Sequence, residues 1–158
     1  MRTLKLNEAL REALGQEMER DERVFVLGED VAGYGGLAGV TEGLLERFGP
    51  ERVWDTPISE SGFAGLGVGA ALMGMRPVVE LQFTGLITVA MDQIVNSGAK
   101  ARYVHDGALS APVVFRTTHL SAGNVYMGQD VESWFTHVPG LKVVAPSNPA
   151  DAKALLIS

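Results

Sequence analysis

Hydrophobic positions divide the chain into alternating helix-like and strand-like segments. Leu6, Leu10, Leu14 and Met18 recur at every fourth residue, which predicts an amphipathic helix over residues 6–20. Continuous apolar runs predict buried strands at residues 24–28, 53–54, 77–83, 112–116 and 141–145. Helical patterns fall between and after them, at residues 41–49, 61–74, 91–104, 131–137 and 149–158. Strands that alternate with helices predict an α/β fold with a doubly wound, mainly parallel sheet and helices on both faces.

Two helix starts carry recognisable capping residues. Thr41 is placed to cap the second helix, and Asn148 followed by Pro149 is typical of a helix N-terminus. The last helix ends on the apolar run at residues 155–157 without a C-terminal cap. We therefore expect residues 1–158 to form one domain that is truncated or continues on another chain.

Composition narrows the class of function. The chain has 158 residues, of which 46% are hydrophobic, and a net charge of −6; this suits one domain whose sheet is covered on both faces. Because no basic block interrupts the acidic balance, a nucleic-acid partner is disfavoured. The absence of cysteine excludes disulfides and thiolate chemistry. The most apolar stretch, residues 61–75, is shorter than the roughly 20 residues that span a bilayer, so we expect a soluble, cytoplasmic protein.

Glu60 is the strongest candidate for a chemically active residue. It begins an apolar helix that contains Gly62, Gly65, Gly67 and Gly69. Two interpretations stay open from the residues alone: a carboxylate that acts on a ligand, or a helix N-terminal charge stabilised by the helix dipole by about 0.3–1 kcal/mol. The glycines favour close packing of the helix, because their spacing matches neither the dinucleotide fingerprint nor a phosphate-binding loop.

Three other carboxylates are weaker candidates. Glu29 and Asp30 follow a buried strand, where α/β sheets place ligand-binding groups, although an exposed loop is an equally good interpretation. Glu80 lies inside an apolar strand, where an unpaired carboxylate is costly. We therefore expect Glu80 to form a structural ion pair with Arg76 or Lys100.

The three histidines give little sign of a catalytic centre. His105 and His137 are expected to be loop or packing residues, and His119, in a long polar loop, is the most plausible chemical histidine. No spacing of histidine and carboxylates resembles a metal site, and no nucleophile elbow is present. The residues themselves thus predict an α/β domain with a carboxylate at a glycine-rich helix start and no metal ligands.

Several motifs, taken in order, resemble those of one enzyme family. The most specific is Asp-Thr-Pro-Ile-Ser-Glu-Ser-Gly-Phe at residues 55–63. Further matching stretches occur at residues 27–31, 43–53, 74–80, 91–96 and 139–149. Together they resemble the N-terminal domain of the β subunit of thiamin-diphosphate-dependent 2-oxo acid dehydrogenases, of the pyruvate, branched-chain and acetoin group. The resemblance covers the whole chain and implies a transketolase-like pyrimidine-binding domain, without the C-terminal domain that members of the family carry.

The resemblance implies a cofactor and a set of site residues. In that family the glutamate at the position of Glu60 hydrogen-bonds a ring nitrogen of the aminopyrimidine of thiamin diphosphate and helps to activate the cofactor. Gln82 and Phe83 keep the family's pattern along the pyrimidine pocket. Leu86 stands where an aromatic residue is usual. The predicted catalytic residue is Glu60. Glu29 is added to the cofactor-binding residues because it follows a strand. The predicted cofactor-binding residues are therefore Glu60, Glu29, Gln82, Phe83 and Leu86.

The resemblance also implies partners. The family holds the cofactor's diphosphate and Mg²⁺ mainly on an α subunit, which agrees with the missing phosphate loop in this chain. A heterotetramer with a second β chain, working with a lipoyl acyltransferase core, is the implied assembly. The implied function is oxidative decarboxylation of a 2-oxo acid with transfer of the acyl group to lipoyl, and the isolated chain is expected to be inactive.

Met127 departs from the family's pattern. It stands where the family carries an active-site histidine, and a thioether neither donates a hydrogen bond nor transfers a proton. Three hypotheses therefore stay open: an active subunit, a non-catalytic relative or fragment that keeps the fold and the subunit pairing, and an unrelated α/β nucleotide-binding module. The missing phosphate motif disfavours the third, and His119 is the residue that would replace the histidine if its loop folds back.

Overall fold

Four parallel strands form the sheet at the centre of the fold. The structure, a computed structural model, describes residues 3–119, 125 and 127–158. The strands are β1 (Val24–Gly28), β2 (Val53–Asp55), β3 (Arg76–Phe83) and β4 (Val114–Thr118). Their order is β2-β1-β3-β4, and every neighbouring pair is parallel. All carboxyl ends therefore lie at one edge of the sheet and all amino ends at the other.

Helices connect the strands. The α-helices are α1 (Leu6–Arg20), α2 (Leu44–Phe48), α3 (Glu60–Leu72), α4 (Ala101–Val104), α5 (Glu132–Thr136) and α6 (Pro149–Ile157). Short 3₁₀ turns occupy Leu37–Gly39 and Thr84–Thr88, and a π-helical segment occupies Gln93–Gly98. The predicted cap of α6 is confirmed, because the Asn148 side chain accepts a hydrogen bond from the Asp151 N–H at 2.9 Å.

Two hydrophobic cores cover the two faces of the sheet. Side chains alternate along β1, so Val24 and Val26 join one core and Phe25 and Leu27 join the other. The first core packs against α1, α2 and α6, and the second packs against α3, α5 and the π-helical segment. This arrangement confirms the predicted doubly wound α/β fold.

Glycines let α3 pack closely, as their spacing suggested. A Cβ atom built at Gly67 would lie 2.5 Å from Val79 Cγ2 on β3, and one at Gly65 would lie 3.0 Å from Gln93 Oε1. The first distance is too short for any side chain, so the helix approaches the sheet this closely only because residue 67 is glycine. Close packing of α3 fixes the position of Glu60 at its first residue.

Three predicted elements are wrong or shifted. Residues 141–145 do not form a strand: they pair with no strand among the described residues, and Val144 is 56% exposed. Their apolar run predicted extended backbone, but a strand also needs a neighbour with free hydrogen-bonding groups. The strand predicted at residues 112–116 lies two residues later, as β4. The helix predicted at residues 91–104 is interrupted, because the π-helical turn ends at Gly98 before α4 begins.

The predicted cap at Thr41 is wrong, and the structural ion pair predicted for Glu80 is confirmed but with a different partner. Thr41 does not cap α2, whose N-cap is Gly43; the Thr41 hydroxyl instead donates to the Val31 carbonyl at 2.7 Å. Glu80 pairs with neither Arg76 nor Lys100. Its partner is Arg116, which is opposite Glu80 in the β3–β4 register, with 2.5 Å between Arg116 Nη2 and Glu80 Oε2. The sequence analysis did not find this partner because the two residues lie on different strands. The register between two strands cannot be read from one segment alone.

Candidate active site

The predicted site residues gather at the carboxyl edge of the sheet. Glu29 directly follows β1, and Glu60 begins α3, which follows β2 after a short turn. Gln82 and Phe83 are the last two residues of β3. Because the three strands are adjacent and parallel, their ends deliver these side chains to the same edge, where α/β folds place ligand sites.

Glu60 is a buried carboxylate at a helix N-terminus. Only 8% of the residue is exposed. The preceding turn accepts the first helical hydrogen bonds, since the N–H groups of Gly62 and Phe63 donate to the Ser59 carbonyl at 2.9 and 3.1 Å. The Glu60 side chain has no ion-pair partner among the described residues. A buried acidic group of this kind can share a proton with a nitrogen base of a ligand.

Glu29 is a second buried carboxyl residue at this edge, and one of its oxygens has no partner. It is 8% exposed, and its Oε1 atom is buried without a hydrogen-bond partner. Burial raises the pKa of the Glu29 carboxyl, and the negative charges of Glu60 and Asp30 raise it further. The charges of two carboxyl groups therefore repel each other at this edge. The surroundings of Glu29 favour its neutral form.

Asp55 and Thr56, at the end of β2, are site residues that the sequence analysis missed. The Asp55 carboxylate accepts hydrogen bonds from the N–H groups of Ala32 and Gly33, at 2.7 and 3.0 Å. The Thr56 N–H donates to the Gly28 carbonyl at 2.9 Å, and its Oγ1 is buried without a partner. The available signal was their position directly after an apolar strand, which places them beside Glu29.

Gln82 contacts the loop that follows β1. Its Nε2 atom donates to Asp30 Oδ2 at 3.2 Å, so its amide faces the loop after β1. Its φ of 21° lies at the border of the left-handed region, and the β3–β4 register shifts between Glu80 and Phe83. Phe83 ends the strand, and Leu86 lies in the next 3₁₀ turn, both half-buried. The structure thus brings Glu29, Glu60, Gln82 and Phe83 to one edge, and Leu86 lies on the segment that follows β3.

Met127, at the position of the family's histidine, and His119, its predicted replacement, both lie after β4 in the chain. Met127 lies in a turn before α5 and is half-buried. His119 Nδ1 lies 2.8 Å from Asp130 Oδ1, so this histidine has a local acidic partner. His105 follows α4, and His137 follows α5. Within the described residues, no group of three or more histidine and acidic side chains is arranged to hold a metal ion.

Comparison with known proteins identifies the family. Residues 2–158 match the family described as transketolase, pyrimidine binding domain. The chain belongs to this family. No helix of this pyrimidine-binding domain, in the ranges that the structure describes, is long and apolar enough to cross a membrane.

The pyrimidine-binding domain is also similar to β subunits of 2-oxo acid dehydrogenases. It is 51% identical over 158 residues to the pyruvate dehydrogenase E1 component subunit beta of Rhizobium meliloti, which covers 99% of this chain and 34% of that protein. It is 50% identical over 151 residues to the 2-oxoisovalerate dehydrogenase subunit beta of Bacillus subtilis, covering 94% and 46%. The chain therefore spans between a third and a half of the length of the curated relatives it matches.

A solved structure supports the fold. A protein described as a split gene transketolase, inactive beta4 tetramer, superposes on this pyrimidine-binding domain with a TM-score of 0.74. The two are 21% identical, and the alignment covers 96% of this chain and 46% of that one. At this identity the likeness concerns the fold alone.

Proposed function

We propose that the chain is the pyrimidine-binding part of the β subunit of a thiamin-diphosphate-dependent 2-oxo acid dehydrogenase. The observation that carries the proposal is the buried carboxylate of Glu60, held at a helix N-terminus next to a second buried carboxyl, Glu29. This pair occupies the carboxyl edge of a domain whose family is defined by binding a pyrimidine.

The residues at this edge fit the aminopyrimidine of thiamin diphosphate. Glu29 Oε1 and Thr56 Oγ1 are buried polar atoms without partners, and buried polar groups of this kind are ordinarily satisfied by hydrogen bonds. An aminopyrimidine carries ring nitrogens and an amino group that can supply such bonds. The shortage of partners in the chain matches the hydrogen-bonding capacity of the cofactor.

Each of these residues has a role in binding or in proton transfer. Glu60 places its carboxyl group against the pyrimidine ring nitrogen and forms a hydrogen bond with it. Glu29 stays protonated more readily than an exposed carboxyl and limits the negative charge beside Glu60. Phe83 and Leu86 supply half-buried apolar surface that excludes water next to the ring. When bound, thiamin diphosphate would supply the nucleophilic carbon and the electron sink needed for decarboxylation of a 2-oxo acid.

Partner subunits complete the proposed assembly. We infer from the family resemblance that an α subunit holds the diphosphate and Mg²⁺; this chain itself carries no phosphate-binding loop. A second β chain completes a heterotetramer, and a lipoyl acyltransferase core accepts the acyl group. The proposed complex works in the cytoplasm on pyruvate or a branched-chain 2-oxo acid, the substrates in the names of the relatives.

A reconstituted complex tests the proposal. The chain, within its full-length β subunit, is mixed with the cognate α subunit, and decarboxylation is followed with an artificial electron acceptor. Glu60→Gln should lower kcat at least 100-fold, the order expected for loss of a group that acts in proton transfer. Glu46→Gln, a change on the short exposed helix α2, should leave kcat unchanged. If Glu60→Gln retains most of the activity, the assignment is wrong.

Met127 favours a second candidate, a relative that has kept the fold but lost turnover. A thioether cannot transfer a proton, so an enzyme that relies on a histidine at this position would be inactive. Met127→His discriminates between the two functions. A large gain in kcat over the original complex supports a decayed site, whereas an active original complex that gains nothing supports the catalytic subunit.

A further inference from the structure

The loop at residues 30–36 is held by hydrogen bonds from both neighbouring strands. From β2, the Asp55 carboxylate accepts the N–H groups of Ala32 and Gly33, at 2.7 and 3.0 Å. From β3, the Gln82 amide donates to the Asp30 carboxylate at 3.2 Å. The loop is thus bonded to the edge strand β2 on one side and to the central strand β3 on the other.

This loop needs such ties because its backbone is unusually free. Gly33, Gly35 and Gly36 fall within seven residues, and glycine loses more conformational freedom on folding than any other residue. Asp30 itself has a φ of 59°, in the left-handed region that few residues other than glycine adopt. Tyr34, at the tip, is 79% exposed and gives the loop no packing. Val31 is buried in the first core and the Thr41 hydroxyl and N–H donate to the carbonyls of Val31 and Gly35, so the Asp55 bonds act on the part of the loop between these anchors, at Ala32 and Gly33.

The position of the loop matters because Glu29 precedes it directly. Glu29 has a buried oxygen without a partner, and the charge of Glu60 acts on its carboxyl group. Only Asp30 and Val31 separate Glu29 from the first of the two N–H groups that Asp55 holds. A carboxylate that accepts two consecutive N–H groups fixes both the position and the direction of the backbone at that point. Asp55 itself is exposed at the edge strand, so burial does not explain its place.

We propose that Asp55 is a positioning residue, which holds the loop at residues 30–36 and thereby keeps the Glu29 carboxyl against Glu60. Its effect on the cofactor rests on the proposed function, because Glu29 and Glu60 must bind the pyrimidine for the position of Glu29 to matter. Asp55 acts through the backbone of Ala32 and Gly33 and does not itself need to contact the cofactor.

The test uses the full β subunit in complex with its α subunit. Asp55→Ala removes both acceptors, and Asp55→Asn keeps one acceptor oxygen in the same shape. Asp21→Ala is the matched control: this carboxylate also accepts a backbone N–H, that of Arg23 at 2.9 Å, but at the opposite edge of the sheet. Two quantities are measured, the exchange rates of the Ala32 and Gly33 amides and the Kd for thiamin diphosphate at saturating Mg²⁺.

We expect Asp55→Ala to speed exchange of both amides about tenfold and to raise the Kd about tenfold, the scale of a lost charge-assisted hydrogen bond. Asp55→Asn should fall between it and the original protein in both quantities, which keeps the test valid if the alanine variant does not fold. Asp21→Ala should lower Tm but change the Kd less than twofold.

Two results would overturn the positioning role. One is a Kd that stays within twofold of the original in both Asp55 variants; the other is a Kd that Asp21→Ala raises equally, since general destabilisation would then explain the effect. If the original complex binds no thiamin diphosphate, the proposed function fails instead. The hold of Asp55 on the loop is then decided by the amide exchange rates alone.

Discussion

Carboxylates at the two edges of the sheet have opposite environments. At the amino edge, Asp21 accepts hydrogen bonds from the backbone and the guanidinium of Arg23, and Arg76 lies 3.4 Å away. At the carboxyl edge, Glu29 and Glu60 are buried and have no cationic partner among the described residues. The carboxylate at the amino edge has its partners within the chain, whereas the carboxyl edge contains buried polar atoms without partners.

Arginine side chains satisfy hydrogen-bonding groups at the amino edge. Arg52 donates to the carbonyls of Val24, Met18 and Asp21, at 2.6, 3.0 and 3.1 Å, and so satisfies backbone groups where α1 turns into β1. Nothing comparable satisfies Glu29 Oε1 or Thr56 Oγ1 at the other edge. Since unpaired buried polar groups reduce stability, these two atoms support the proposed ligand site at the carboxyl edge.

The pKa values show the same contrast. Hydrogen bonds from Arg23 hold the pKa of Asp21 far below its ordinary value, whereas burial and then the charges of Glu60 and Asp30 raise the pKa of Glu29. The amino edge therefore favours a charged carboxylate, and the carboxyl edge favours a neutral one. A neutral carboxyl group can donate a proton to a ligand nitrogen.

The largest expected effect concerns the one buried acid near the carboxyl edge that has a partner. Glu80 is 1% exposed and pairs with Arg116, whose side chain is 10% exposed. Arg116→Leu leaves Glu80 buried beside no cation, so we expect the free energy of unfolding to fall by about 3–5 kcal/mol. Denaturant unfolding of the variant measures this loss.

The double variant is the control for this ion pair. Glu80→Leu combined with Arg116→Leu removes both charges and should recover most of the lost stability, because apolar replacement of a whole buried pair is often neutral. If the double variant is as unstable as Arg116→Leu alone, packing and not the unpaired charge explains the loss.

A smaller expected effect is a difference between the two edges in how stability depends on pH. The folded-state pKa of Glu29 is raised above 4.5, so the folded protein holds this proton more tightly and its stability falls as pH rises from 4.5 through the raised pKa. Glu29→Gln should reduce that fall, although Glu80, whose pKa is also raised by burial, still contributes. Denaturant unfolding at a series of pH values between about 4.5 and 8 measures the slope.

Asp21 is the control, because its contribution to stability changes in a lower pH range and in the opposite direction. Its lowered pKa gives stability that is present above 3.8 and is lost as pH falls through the folded-state pKa. Asp21→Asn should therefore change the slope only in acid, below the window affected by Glu29→Gln. Equal slopes for Glu29→Gln and the original protein above pH 4.5 would contradict the contrast between the edges.

The sequence predicted the elements better than their contacts. The four-residue spacing along α1 and the apolar run of β1 were sufficient for both elements, because local periodicity determines them. The partner of Glu80 depended on strand register, which involves segments far apart in the chain. The apolar pattern at residues 141–145 predicted extended backbone but could not show that no strand lies beside it.

The site was partly predictable for the same reason. Glu60 and Glu29 were recognised from a motif and from a strand end, and both lie at the predicted edge. The hold of Asp55 on Ala32 and Gly33 spans more than 20 residues of sequence, so no local pattern indicates it. The hydrogen bond from Gln82 to Asp30 was missed likewise, because it joins the ends of two neighbouring strands.

The most direct test is a thermodynamic cycle between Glu60 and the pyrimidine ring nitrogen. The complex of α and β subunits is titrated with thiamin diphosphate and with an analogue in which that nitrogen is replaced by CH, for the original protein and for Glu60→Ala. The original protein should bind the analogue at least about tenfold more weakly than the cofactor, the scale of one hydrogen bond to a charged group. In Glu60→Ala the difference should shrink to less than twofold, because the partner of the nitrogen is gone. An equal difference in both proteins would contradict the account, since it would mean that Glu60 does not contact the ring.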